Sequence, residues 1–124
     1  MKILLVDDSK MGRIVLRRLL AKAGYSDDDI LEAEDGRSAL SVIERDDVDL
    51  VFCDWYMPKM TGFELLQKLN NENRLPKFGF VTADLSPEKK KQAQEQGALF
   101  FMPKPCSLDA IKETLSSILE STQG

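Results

Sequence analysis

Leu50-Val51-Phe52-Cys53-Asp54-Trp55-Tyr56-Met57-Pro58 is an apolar run that ends in one carboxylate and then breaks. A strand covered on both faces reads as such a run, and a proline soon after it stops regular continuation. The stretch predicts a buried third strand over 50–53 that delivers Asp54 to the rim of a sheet.

Upstream, Ile3 to Val6 is a first strand, followed by Asp7-Asp8-Ser9 and by Met11, Ile14, Val15, Leu19, Leu20 and Ala23 at helical spacing, with Gly24 as the stop. Ile30 to Ala33 is a second strand, after which Asp35 caps a helix burying Ala39, Leu40 and Ile43. Downstream, Thr61-Gly62-Phe63-Glu64 has capping-box spacing, and Phe63, Leu66 and Leu69 form the stripe of a third helix that Leu75-Pro76 ends. Phe78 to Val81 is a fourth strand, weakened by Gly79 and closing at Thr82-Ala83-Asp84. Ser86-Pro87 supplies an N-cap and a first-turn proline to a fourth helix that stops at Gly97.

That fourth helix has almost no apolar stripe, so its contacts are expected through Ala93 and the stems of its lysines, with Lys89 to Lys91 as an exposed face. Leu99 to Met102 is the last strand and Pro103-Lys104-Pro105 a rigid loop. Leu108, Ile111, Leu115, Ile118 and Leu119 line a closing helix, and the polar tail from Ser121 to Gly124 is expected to fray. Parallel crossovers are right-handed and put helices on both faces, so five such strand and helix pairs predict an open, doubly wound α/β sheet.

Composition narrows the function. A length of 124 residues fits one domain over 1–124 with no second module, and 43% hydrophobic with 31% charged residues belongs to a globular chain. The apolar runs are far shorter than the roughly 20 residues that span a bilayer, and Met1-Lys2 leads straight into an acidic strand end instead of a secretory signal. A cytoplasmic, membrane-free protein is expected. A net charge of -4 argues against a nucleic-acid surface. With two cysteines and no histidine, a disulfide framework is not expected, and Ser-His-Asp triads and His-ligated zinc are excluded.

Asp7 and Asp8 end the first strand, Asp54 the third and Thr82 the fourth, while Lys104 follows the fifth. In a parallel sheet these ends share one edge, where ligands bind. Each residue alone has an ordinary role: Asp7-Asp8-Ser9 as a helix cap, Thr82 as a strand residue, Lys104 as a solvated charge, Trp55 and Tyr56 as rim residues, Phe101 as a strand aromatic. Together, three carboxylates that repel one another call for a cation, and oxygen donors without histidine or cysteine favour Mg²⁺. With Lys104 as a second, fixed positive group, such a site suits a phosphoryl group accepted by the carboxylate of Asp54.

At these residues the chain resembles the receiver domain of two-component response regulators. The matching pieces are Val6-Asp7-Asp8-Ser9, Asp54-Trp55-Tyr56-Met57-Pro58, Thr61-Gly62-Phe63-Glu64, Val81-Thr82-Ala83 and Lys104-Pro105. The resemblance implies the flavodoxin-like strand order 2-1-3-4-5. It also implies that Asp54 is phosphorylated and that Asp8, Asp54 and the backbone carbonyl of Tyr56 ligate Mg²⁺, with Asp7 helping through water. Thr82 and Lys104 would hold the phosphoryl oxygens, the Lys104-Pro105 peptide would be cis, and Phe101 would be the switch aromatic. The donor would be a histidine kinase or phosphotransfer protein. The output partner would bind a face built from the fourth helix, fifth strand and fifth helix of a monomer.

The Asp54-Trp55 dipeptide, the segment from Glu32 to Gly36 and the solitary domain look most like the single-domain chemotaxis regulators that act on the flagellar switch. Phe101 and Cys106 depart from that pattern, and a stand-alone receiver in a phosphorelay is the alternative. Tyr56 and Asp84, two residues beyond Asp54 and Thr82, are expected to flank the path of water to an acyl phosphate, with Tyr56 shielding it and prolonging its lifetime. An aspartate-nucleophile phosphohydrolase would carry Asp where Tyr56 stands, and a flavin-binding module would carry a Ser/Thr/Gly-rich loop after the first strand.

Overall fold

The computed structural model describes the backbone of residues 1–123 and side chains as far as Ile118. Strands β1 (Ile3–Val6), β2 (Ile30–Ala33), β3 (Leu50–Cys53), β4 (Lys77–Thr82) and β5 (Phe100–Pro103) alternate with helices α1 (Lys10–Lys22), α2 (Gly36–Arg45), α3 (Gly62–Asn71), α4 (Pro87–Glu95) and α5 (Leu108–Gln123). A short 3₁₀ turn, Asp27–Asp29, precedes β2. All pairings are parallel and the order is β2-β1-β3-β4-β5. The doubly wound sheet expected from the sequence is the one observed.

Side-chain alternation splits the core in two. Leu4, Val6, Val51, Cys53, Phe78 and Phe80 face α2, α3 and α4, whereas Ile3, Leu5, Leu50, Phe52 and Val81 face α1 and α5. Ser9, Asp35, Thr61 and Ser86 each cap the helix that follows, and Thr61 and Glu64 complete the capping box.

Some expectations shift. Met11 is 66% exposed and Val15 38%, so α1 is buried through the expected Leu20 together with Leu16. In α2 Ala39 and Val42 are the buried side chains, with Leu40 and Ile43 half-buried. The last strand starts one residue late, leaving Leu99 exposed. At Gly79 in β4 a Cβ would lie 2.3 Å from the Phe100 ring, which fills the slot and packs 5.1 Å from Phe52. Trp55 is no rim residue but is 6% exposed, stacked on Phe63 at 5.1 Å. Leu119 and the tail from Ser121 to Gly124 lie outside the described side chains.

Candidate functional site

Strand register brings the polar groups to one edge. Val6 pairs with Cys53, Cys53 with Phe80, and Thr82 with Pro103, so Asp7, Asp54, Thr82 and Lys104 leave the sheet side by side. Ladder-like bonds run past the strand ends: Asp7 N–H donates to Ala33 O (3.1 Å), Asp54 N–H to Val6 O (2.9 Å) and Lys104 N–H to Thr82 O (3.1 Å). Each side chain is thus aimed by sheet backbone, not by a loose loop. The Lys104-Pro105 peptide is cis.

Among the described residues, Asp7 and Thr82 are the buried polar ones, each 1% exposed. Burying a charge is costly unless it is paired, and Lys104 provides the pair. Its Nζ donates to Asp7 Oδ2 at 2.7 Å and to Asp54 Oδ2 at 3.1 Å. The other Asp7 oxygen, Oδ1, accepts from Ser9 N–H at 2.9 Å, and the Arg13 guanidinium donates to the Asp7 carbonyl at 2.5 Å. Both Asp7 oxygens are therefore occupied.

Burial is the largest influence on the Asp54 carboxyl and lifts it above the ordinary carboxylate range; Lys104 pulls it down and Asp7 adds to the rise. For Lys104, burial acts to lower the pKa, but Asp7 and Asp54 outweigh it and the ammonium is held above its usual value. Oxygens of Asp7, Asp8 and Asp54 lie within 4.8 Å of one another, a donor set that fits a hard divalent cation such as Mg²⁺.

Asp54, Tyr56, Thr82, Ala83, Asp84 and Lys104 line a cavity of about 340 Å³. Across its mouth the Tyr56 hydroxyl donates to Asp84 Oδ2 at 2.5 Å, while Asp84 N–H donates to Thr82 Oγ1 at 3.1 Å. Lys89, Tyr56 and the Ser86 N–H, in that order, hold the Asp84 carboxyl down at about 2. Phe101 is half-buried, edge-on to Trp55 at 6.1 Å and 6.0 Å from Phe80. Asp54, Tyr56, Thr82, Asp84 and Lys104 thus line one cavity, Asp7 and Asp8 lie beside Asp54, and Phe101 sits outside that lining against Trp55 and Phe80.

Residues 3–116 match the family model of the response regulator receiver domain. The chain belongs to this family. It is 32% identical to the chemotaxis protein CheY of Pseudomonas aeruginosa, with each chain covered in full. It is also 37% identical over 121 residues to the sensor histidine kinase RcsC of Escherichia coli, covering 97% of this chain but 12% of that kinase. Among solved structures, the chemotaxis protein CheY4 of Vibrio cholerae aligns with a TM-score of 0.84 at 32% identity, covering 94% of this chain and 97% of that one. A receiver domain of the CheY type is a two-component signalling protein. No helix among the described residues is long and apolar enough to cross a membrane.

Two participants were not singled out from sequence. Lys89, grouped with an exposed lysine run, is half-buried and bonded at the cavity mouth; its place in the first turn after the Pro87 start was the available signal. Gly12 lies against Asp7, and nothing in the local pattern marks it.

Proposed function

We propose that this receiver domain is a phosphorylation-operated switch that accepts a phosphoryl group on Asp54 from a histidine kinase or phosphotransfer protein in the cytoplasm. The observation that supports it best is the Lys104 ammonium shared between Asp7 and Asp54 beside the Thr82 hydroxyl. An Asp54 carboxylate oxygen attacks phosphorus and the bond from phosphorus to the donor's imidazole nitrogen breaks. The electron pair stays on that ring nitrogen, and Asp54 becomes an acyl phosphate. Asp8, Asp54 and the Tyr56 backbone carbonyl would hold Mg²⁺, with Asp7 acting through water. When bound, the ion supplies positive charge to the phosphoryl oxygens.

The added group brings about -1.5 to -2 charges and three strong acceptors. Lys104 and the Thr82 hydroxyl donate to these oxygens. As Thr82 moves inward, Phe101 repacks against Trp55 and Phe80, and the face of α4, β5 and α5 changes for an output partner. The protein itself acts as a monomer. The flagellar motor switch is the partner favoured by the likeness to chemotaxis proteins. The 37% identity to a segment of a sensor histidine kinase favours, as the second reading, a phosphorelay receiver.

The test is incubation with acetyl phosphate and Mg²⁺, followed by mass measurement of the parent and of Asp54→Asn. One alkali-labile phosphate on the parent and none on the variant is expected. A mass gain that survives in Asp54→Asn, or none in the parent, overturns the proposal.

A further inference from the structure

Within the run Lys89-Lys90-Lys91, Lys90 and Lys91 are exposed but Lys89 is not. Its ammonium donates to the Asp84 carboxylate and to the Tyr56 hydroxyl. It also lies 4.7 Å from the centroid of the Tyr56 ring and 5.8 Å from that of Trp55, where ring faces attract a cation. All three partners come from outside α4: Trp55 and Tyr56 follow β3, and Asp84 follows β4. Two of them, Tyr56 and Asp84, line the Asp54 cavity.

Helix α4 has little else to hold it. Ala93 is its one buried residue among those described, and the helix is strongly polar throughout. An element with so few buried apolar contacts opens readily unless polar ties fix it. The tie that reaches from α4 to the cavity mouth is Lys89.

We propose that Lys89 is a latch that joins α4 to the mouth of the Asp54 cavity, pins Tyr56 across that mouth, and so sets how long a phosphoryl group on Asp54 survives. The lifetime half of this rests on the phosphoacceptor reading; the tether does not. Loss of the group is attack of water on phosphorus with cleavage of its bond to the Asp54 oxygen, leaving the free carboxylate and inorganic phosphate. A Tyr56 ring held by Lys89 and Asp84 obstructs the approach of that water. Lys89 is thus a positioning residue, acting through Tyr56.

Lys89→Met keeps an unbranched apolar stem and removes the charge, with Lys90→Met as the control. Hydrogen exchange of amides 88–95 in the unphosphorylated full chain is expected to be severalfold faster in Lys89→Met and unchanged in Lys90→Met. After loading with acetyl phosphate and Mg²⁺, decay of phospho-Asp54 is expected to quicken severalfold in Lys89→Met and in Tyr56→Asn, with no further gain in the double variant. Parental exchange in Lys89→Met overturns the tether, and parental decay overturns the lifetime role. Should the parent take up no phosphate, the phosphoacceptor reading and the lifetime role fail together, and the exchange measurement still decides the tether.

Discussion

Gly12 faces the Asp7 carboxylate so closely that a β-carbon there would lie 2.5 Å from Oδ2 and 3.2 Å from Cγ. Asp7 cannot easily give way, because Ser9 N–H holds one of its oxygens and Lys104 the other. Gly12→Ala is therefore expected to turn the carboxylate and break one of these bonds. Groups that orient a metal site typically affect affinity by about 10- to 100-fold, so Mg²⁺ binding should weaken by roughly tenfold in calorimetric titration. In an Asp7→Asn background the same change should add little, which separates an effect through Asp7 from general loss of fold.

Lys104→Met leaves Asp7 buried and Asp54 without their shared ammonium. Removing one partner of a buried pair is costly, but Lys104 is part-exposed, so a loss of about 1–3 kcal/mol is expected. Mg²⁺ should restore much of that loss. The rise in Tm between EDTA and millimolar MgCl₂ is expected to be larger in Lys104→Met than in the parent, while phosphate uptake from acetyl phosphate falls. An equal rise in both proteins would show that lysine and cation do not share the carboxylates.

Asp84 is held at about 2 against an ordinary 3.8, chiefly by Lys89. A depressed folded-state pKa means a stabilising contribution that is present above the unfolded value and disappears as pH falls through about 2. Carboxyl chemical shifts followed from neutral pH downward should show Asp84 titrating at about 2 in the parent. In Lys89→Met its midpoint should move up toward the ordinary range.

Burial pushes the Cys106 thiol up to about 11 and also raises Cys53 well above the ordinary thiol value. At pH 8 Cys106 is then roughly a thousandth thiolate, so alkylation by iodoacetamide should run about a hundredfold slower than for a free thiol. Cys53, fully buried and donating to the Asp54 carbonyl at 3.1 Å, should react only on unfolding. Rapid labelling of Cys53 in the native protein would contradict the packing of β3.

Apolar runs, caps and helix stops were legible residue by residue because each depends on neighbours a few positions away. Asp35, Thr61 and Ser86 cap the helices their positions announce. The edge that gathers Asp7, Asp54, Thr82 and Lys104 was legible as well, since in a parallel sheet a residue just past a strand has one rim to occupy. Val42 and Trp55 escaped the sequence pattern because burial is decided by packing between elements, and both belong to the core shared by α2, α3 and β4. Trp55 is covered by Phe63 and Phe80, and the slot at Gly79 is filled by Phe100.

The sequence by itself determined the alternation of strand and helix and, through it, the shared edge to which Asp54 is delivered. Only the tertiary structure decided that Lys104 spans Asp7 and Asp54, that Gly12 leaves room for the Asp7 carboxylate, and that one lysine of three closes over Tyr56 and Asp84. Periodicity and capping are short-range steric and hydrogen-bonding preferences written in consecutive residues. Which charge meets which across 97 residues, as Lys104 meets Asp7, depends on strand register and helix packing that form only when the whole core does.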